Sequence, residues 1–154
     1  MRIDESRAEW SPRNTSLAAL VCINPERVRC VWPVVEPRLQ HAVLRTGLCT
    51  FAAIEREVLI GHALLWLALS GREEDLTIDA VATTRLELTD AGKVCVITAC
   101  EGREMARWLP LIRGIEDYAE AEGCRCVRIF GRKGWLRVLD GYMQTHVVID
   151  KALD

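Results

Sequence analysis

The basic turn Arg132-Lys133 lies just before a predicted short helix over Trp135–Leu139, with Arg137 one turn later. Because a helix N-terminus presents unpaired N–H groups and the positive end of the macrodipole, such a turn suits a phosphate group of a cofactor, a nucleic acid or a lipid. Trp135 could then stack on a base. The interpretation that we favour is a solvated basic turn with Trp135 anchored in the core.

A second turn with anion-binding character precedes the longest predicted helix. Gly102 would let the backbone approach a phosphate closely, and Arg103 and Arg107 would attract it. Glu101 and Glu104, however, place carboxylates where the anion would lie, and like charges repel. The pattern predicts either a weak or altered anion site or, as we favour, a capped helix whose first-turn acids complement its dipole.

Metal and acid–base chemistry find little support in the residue pattern. The seven cysteines include no C-x-x-C, only Cys124-Arg-Cys126, whose thiols would share one face of a strand. That pair is half a metal site or, as we favour, two small apolar core residues, and we predict no metal. Asp79, Glu87 and His62 lie on or beside predicted strands without forming a constellation, so the catalytic residues stay unidentified.

Composition predicts one globular domain. Half of the 154 residues are apolar, 27% are charged, and the formal net charge is −2, so nothing draws the whole chain to nucleic acid or an anionic membrane. Residues 1–16 form a polar leader without the apolar core of a signal peptide, and 17–154 form the domain. The longest apolar stretch, Ala63–Leu69, is too short to cross a bilayer. We therefore expect a soluble protein of the cytoplasm.

The first third of the domain predicts helices. Leu17–Ile23 is either a strand or the end of a helix. Asn24-Pro25 is typical of a helix start, and the apolar stripe that follows is interrupted by Pro33 and Pro37, which predicts a broken or kinked helix ending at Gly47. Thr50 would cap a second helix, over residues 51–59.

Beyond Gly61 the hydrophobic period changes to that of strands. Three strands form an antiparallel meander, closed by a turn at residues 100–103, and then a helix, a strand, a short helix and a last strand follow. The predicted elements are strands His62–Ser70, Leu76–Thr89 and Val94–Ala99, helix Glu104–Glu122, strand Cys124–Phe130, helix Trp135–Leu139 and strand Met143–Ile149.

This α/β (α+β) order, an antiparallel meander followed by helix-strand-helix-strand, resembles the fold of GCN5-related N-acetyltransferases (GNAT), the acyl-CoA N-acyltransferases. The helix end at Gly123-Cys124 and the Gly141-Tyr142 pair before the last strand carry the local resemblance. It implies an acetyl-CoA cofactor whose pantetheine lies between splayed fourth and fifth strands. It also implies that the pyrophosphate lies at Glu101, Gly102, Arg103 and Arg107, while no tyrosine stands on the short helix where many members place the general acid.

The block from Gly131 to Leu139, with Leu65-Trp66-Leu67, is similar to small GNAT-like proteins of tailed bacteriophages and prophages, some of them internal virion proteins of short-tailed phages. That similarity implies a phage protein in the host cytoplasm or the virion, with virion or assembly proteins as partners. Our first hypothesis is such a protein, non-catalytic or weakly catalytic. The alternative is an acetyl-CoA-dependent N-acyltransferase acting on an amine, with nucleic-acid binding through Arg132 and Lys133 a distant third.

Overall fold

The computed structural model describes residues 19–154. Five strands and four α-helices, with short 3₁₀ turns between them, make up this part of the chain. In chain order they are β1 (Ala19–Ile23), α1 (Val28–Thr46), α2 (Phe51–Leu59), β2 (Ala63–Arg72), β3 (Asp75–Thr89), β4 (Gly92–Gly102), α3 (Met105–Trp108), α4 (Ile112–Ala121) and β5 (Cys126–Ile129).

The strands form one mixed sheet in the order β1-β2-β3-β4-β5. The first four are antiparallel neighbours, and β5 is parallel to β4, as expected for a strand reached through a helical crossover. The predicted meander and the parallel strand after the helix are confirmed. The predicted polar leader, residues 1–16, lies outside the described residues.

Helices cover both faces of the sheet. On one face α1 and α2 bury Val35, Leu39 and Val58 against Leu65 and Val81 of the sheet. On the other face α4 packs with its own apolar stripe against β2, β3 and β4, through side chains that include Ile115, Ala119, Trp66, Ala82 and Ile97. Because side chains alternate along each strand, the strands contribute residues to two cores, one on each face of the sheet.

Helix α1 is continuous from Val28 to Thr46 through Pro33 and Pro37, so the predicted break does not occur. Both prolines are exposed. The carbonyl groups that lose their intrahelical partners therefore face water, which can satisfy them. The helix ends as predicted at Gly47, which has a left-handed φ of 64° and whose N–H donates to the carbonyl of Val43.

The long helix predicted over Glu104–Glu122 is instead two helices. A single-turn α3 is separated from α4 by a 3₁₀ turn at Leu109–Leu111, because Pro110 cannot donate a backbone hydrogen bond at that point. The predicted turn at residues 100–103 was also placed too early, since β4 continues to Gly102.

Two predicted elements after β5 differ from the structure. The short helix predicted at Trp135–Leu139 is a 3₁₀ helix over residues 133–137, and Met143–Ile149 forms no strand. The second error shows the limit of β propensity, because a strand needs a partner and this segment pairs with none of the described strands. Strand β5 also begins later than predicted, at Cys126.

Two β-bulges lie in the sheet near the carboxyl end of β4. Asp79 is the extra residue of β3 opposite the Ala68–Leu69 step, and Thr98 is the extra residue of β4 opposite the Thr83–Thr84 step. A bulge bends the strand that carries it and interrupts its ladder. Among residues 19–154, no helix is both long and apolar enough to cross a membrane.

Candidate functional site

Strands β4 and β5 part at the Thr98 bulge. Their parallel register runs from Val94–Cys126 to Ile97–Ile129 and ends there, although β4 continues for five more residues. No described strand pairs with Thr98–Gly102 on that side, so this stretch of β4 is a free edge. A narrow cleft of about 20 Å³, enough for one water molecule, lies at the point of divergence, with Phe130 and Trp135 on its β5 side.

A larger cavity of about 210 Å³ adjoins the cleft. Thr98 and Phe130 line both spaces, so the bulge of β4 stands at their junction. The loop between α1 and α2 contributes Leu48 and Cys49, and helix α2 contributes Ile54 and Glu57. The cavity therefore lies on the α1–α2 face of the sheet, beside the parted strands.

Glu57 and Arg85 are the charged residues that line this cavity. The Arg85 guanidinium lies between two carboxylates, 3.4 Å from Glu57 Oε1 and 3.3 Å from Glu87 Oε2. All three side chains are between three-tenths and two-fifths exposed. A carboxylate at a cavity wall, close to a bulged strand, can accept a proton from a bound molecule. Sequence reasoning singled out Glu87 but missed Glu57 and Arg85.

The predicted pyrophosphate turn is held by a residue that the sequence analysis did not identify. Arg38 of α1 forms an ion pair with Glu101 and donates hydrogen bonds to the carbonyl oxygens of Ile78 (2.6 Å) and Asp79 (3.1 Å). The bulge at Asp79 leaves these carbonyls available to a side chain. The charge of Glu101 is therefore balanced by Arg38 of α1, which reduces the repulsion of an anion that the sequence suggested.

Arg107 is likewise engaged inside the protein. It donates to Ser70 Oγ at 2.9 Å and to Glu104 Oε2 at 3.2 Å, and its Nη2 lies 3.7 Å from Asp79 Oδ2. Glu104, expected to repel phosphate, is exposed and has a left-handed φ of 50°. These contacts make Arg107 a clamp between α3 and the sheet, while Arg103 stays exposed at the surface.

Two tryptophans bring the two predicted anion-binding turns side by side. Trp108 donates from Nε1 to the carbonyl of Arg103 at 2.9 Å, and its ring lies edge to face with Trp135 at 6.1 Å. Trp135 packs against the small core cluster that contains Trp108, so the predicted core role of Trp135 is confirmed. Arg132 and Lys133 are exposed and begin the 3₁₀ helix that carries Trp135.

The space that a side chain at Gly102 would occupy is filled by the indole ring of Trp108. A Cβ atom there would lie 2.5 Å from Trp108 Nε1 and Cε2, a distance that real side chains do not adopt. In the GNAT pattern a glycine of this turn makes room for pyrophosphate, whereas here it makes room for an indole ring. An indole ring thus occupies the place of a glycine cradle, and the side chain of Arg103 is exposed beside it.

We expect Gly102→Ala to lower the free energy of unfolding by about 1–3 kcal/mol, because the added methyl group overpacks against Trp108. Urea unfolding followed by tryptophan fluorescence measures the change. Gly134→Ala is the control, since nothing lies within 4 Å of its added Cβ, and it should change stability by less than about 0.5 kcal/mol. Equal effects at both positions would contradict the packing role of Gly102.

The other residues considered from the sequence lie outside the cleft. His62 is exposed, and Asp79 is buried at its bulge, where its Oδ2 has no hydrogen-bond partner among the described residues. Cys126 is exposed and Cys124 is half-buried, so the prediction of two core thiols was wrong for Cys126. The described residues contain no group of three side chains that could hold a metal ion.

Neither tyrosine of the chain lines the cleft or the cavity within the described residues. Tyr118 packs edge to face on Trp66, and burial raises its pKa to about 12. Tyr142 donates to Glu116 Oε1 at 3.1 Å, and burial together with that carboxylate raises its pKa. Cys100 does line the cleft, and burial raises the pKa of its thiol to about 12, which keeps it neutral.

No protein-family model matches the sequence, and no curated protein matches it. Solved structures match the fold over most of the chain. A probable acetyltransferase superposes with a TM-score of 0.60 at 12% identity, over 88% of this chain and 97% of the other. A putative acetyl transferase from Pyrococcus furiosus gives 0.58 at 15% identity, over 88% and 99%.

An aminoglycoside acetyltransferase from an uncultured soil metagenomic sample, in complex with sisomicin, gives a TM-score of 0.62 at 11% identity, over 94% of this chain and all of the other. Similarity at this level of identity establishes the architecture alone. The meander, the crossover and the parting of β4 from β5 agree with it. This chain has the fold of the GNAT acetyltransferases.

Proposed function

We propose that this protein is an N-acyltransferase that takes an acyl group from acyl-CoA and transfers it to an amine. The observation that carries the proposal is the parting of β4 and β5 at the Thr98 bulge, with a 210 Å³ cavity opening beside it. This arrangement provides an extended path for a donor along β4 and a partly open cavity for an acceptor beside it. The acetyltransferases of the same fold support the proposal.

The free edge of β4 fits the pantetheine arm of CoA. Residues 98–102 present backbone N–H and C=O groups with no strand partner on the β5 side, and an extended molecule with its own amides can pair with such an edge. The cleft holds only about one water. Binding therefore requires the side chain of Phe130 to turn away from β4.

Charges at the mouth of the cleft suit the phosphates of CoA. Arg103, Arg132 and Lys133 are exposed, and the Trp108–Trp135 contact holds their two turns next to each other. Of the residues predicted for this role, Glu101 is paired with Arg38, and Arg107 contacts Ser70 and Asp79. We assign the phosphate contacts to the three exposed cations.

When bound, acyl-CoA supplies a thioester carbonyl: the amine forms a C–N bond to it, the C–S bond breaks, and CoA leaves as a thiolate that takes up a proton. The carboxylate of Glu57 is the group in the cavity able to take the proton that the amine loses. Arg85, at 3.4 Å, orients that carboxylate. An acceptor that covers the apolar wall would displace water from it, and water would otherwise compete with the amine for the acyl group.

Acetyl-CoA at a hundred times its dissociation constant should stabilise the protein by about 2.7 kcal/mol, which raises the melting temperature by roughly 5–10 °C. Differential scanning fluorimetry measures this shift, and ADP, which lacks the pantetheine arm, is the control ligand and should give a smaller one. No shift at millimolar acetyl-CoA would rule out the proposed function.

The double variant Arg132→Ala/Lys133→Ala should weaken acetyl-CoA binding by about tenfold, with a smaller salt dependence. Arg113→Ala removes an exposed arginine of α4, which is bound to Asp117 and lies on neither cavity, and should leave the affinity unchanged. If both variants bind equally well, the phosphates lie elsewhere.

The virion or assembly role implied by the Gly131–Leu139 block has less support than acyl transfer. Within that block, Trp135 packs on Trp108, and a Cβ at Gly131 would lie 2.6 Å from the Trp135 ring. These residues thus have a packing role that any GNAT-fold protein could share. The structural neighbours named above are acetyltransferases, which favours the enzymatic alternative.

A further inference from the structure

We infer that the acceptor is a small amine with a single positive charge and an apolar body. This inference rests on the proposed function and concerns the 210 Å³ cavity beside Thr98. That volume is below the about 300–1,000 Å³ of pockets for drug-sized ligands, so the acceptor is small. Its chemistry follows from the polar groups that the cavity wall can offer.

Most polar groups of the wall are already used within the protein. The Thr46 hydroxyl donates to the carbonyl of Val43 at 3.2 Å, and the Thr98 hydroxyl is paired with that of Thr83 at 2.7 Å. Burial raises the pKa of the Cys49 thiol, which is a weak hydrogen-bond donor. A ligand with many hydroxyl groups would therefore find few partners, and each unpaired group costs binding free energy.

The charges at this wall favour one cation. Arg85 is shared by Glu57 and Glu87, so the three side chains together carry one net negative charge. Glu57 is the member of the pair that lines the cavity. One ammonium group balances this charge, whereas a carboxylate would have to compete with two glutamates for Arg85.

The rest of the wall is apolar. Ile54 is buried at its base, while Leu48, Phe130 and Val148 are between two-fifths and two-thirds exposed. An apolar ligand body would cover these partly exposed side chains, which is favourable in proportion to the area removed from water. An aminoglycoside has several ammonium groups and many hydroxyl groups. It therefore matches neither the single negative charge nor the apolar wall of this cavity.

Acetylation of four amines by the full-length protein with acetyl-CoA tests the inference, with release of the CoA thiol as the readout. We expect kcat/KM for 2-phenylethylamine to exceed that for sisomicin, spermidine and L-phenylalanine by at least about tenfold, the effect of one misplaced charge or about 1.4 kcal/mol. L-Phenylalanine is the matched compound, since it differs from 2-phenylethylamine only by a carboxylate.

Equal or higher kcat/KM for sisomicin or spermidine would overturn the inference, and a preference for L-phenylalanine would replace the monoamine with an amino acid. Both results would leave the proposed function standing. If acetyl-CoA neither stabilises the protein nor acetylates any amine, the proposed function itself fails and the inference with it. Calorimetric titration of 2-phenylethylamine into the CoA-bound protein gives a readout that does not depend on turnover.

Leu48→Glu places a second carboxylate at the rim of the cavity. It should lower kcat/KM for 2-phenylethylamine by about tenfold and raise that for spermidine, because it trades apolar contact for negative charge. Leu44→Glu is the matched control: Leu44 is 84% exposed on α1 and does not line the cavity. If the two variants behave alike, Leu48 does not contact the acceptor.

Discussion

Glu57→Gln should lower kcat for amine acetylation by about 10²-fold or more while leaving the affinity for acetyl-CoA unchanged. The amide keeps the shape of the side chain and can still accept a hydrogen bond from Arg85, but it cannot take the proton that the attacking amine loses. Steady-state kinetics with 2-phenylethylamine measures kcat, and the thermal shift with acetyl-CoA reports binding independently.

Glu87→Gln is the matched control for this experiment. Glu87 is the other partner of Arg85, at 3.3 Å, but it does not line the cavity. Loss of the Glu87 charge should change kcat by less than about threefold, which is the effect expected from a weak, exposed ion pair. If Glu87→Gln is as inactive as Glu57→Gln, the requirement is for a correctly held Arg85, and Glu57 is then a positioning residue.

Arg38→Met should destabilise the fold by about 3 kcal/mol, the second large effect that we expect. The variant leaves the partly buried Glu101 without its counter-charge and removes the donors to the carbonyls of Ile78 and Asp79. Urea denaturation measures the loss. Because Arg38 joins α1 to the ends of β3 and β4, the variant should also weaken acetyl-CoA binding.

Arg113→Met is the control, because it removes only exposed ion pairs within α4, to Glu116 and Asp117. Arg113 is 72% exposed and lies 3.0 Å from Asp117 one helical turn away. Such a surface pair contributes at most about 0.5 kcal/mol. Adding Glu101→Gln to Arg38→Met should recover part of the stability, since it removes the unpaired charge. If Arg38→Met loses no more stability than Arg113→Met, Arg38 does not join α1 to the sheet as we infer.

Local signals predicted much of the fold. Thr50 caps α2 through a hydrogen bond from the N–H of Ala53, Asn24 accepts from the N–H of Glu26, and Gly47 ends α1. Each of these signals acts within about four residues, so it can be recognised without knowledge of the fold. Local signals gave wrong predictions where the surroundings of a segment decide its structure. Pro33 and Pro37 are tolerated within α1 because they face water. Met143–Ile149 has strand propensity but no strand partner.

In the candidate site, too, local signals were predictable from the sequence, whereas contacts between distant residues were not. Arg132 and Lys133 were recognised as a basic turn because adjacent cations and a tryptophan are visible in any sequence. The pairing of Arg38 with Glu101 spans 63 positions, and that of Glu57 with Arg85 spans 28. No periodicity or spacing rule relates residues so far apart.

Taken alone, the sequence determined the helices and strands up to Gly102, the helix caps and the two turns rich in charge, because propensity, periodicity and capping are local properties of the chain. The tertiary structure decided which charges meet. The bulges at Asp79 and Thr98 set where Arg38 finds its carbonyl partners and where β4 leaves β5. Those bulges depend on the register between strands, which forms only when the whole sheet packs between its helices.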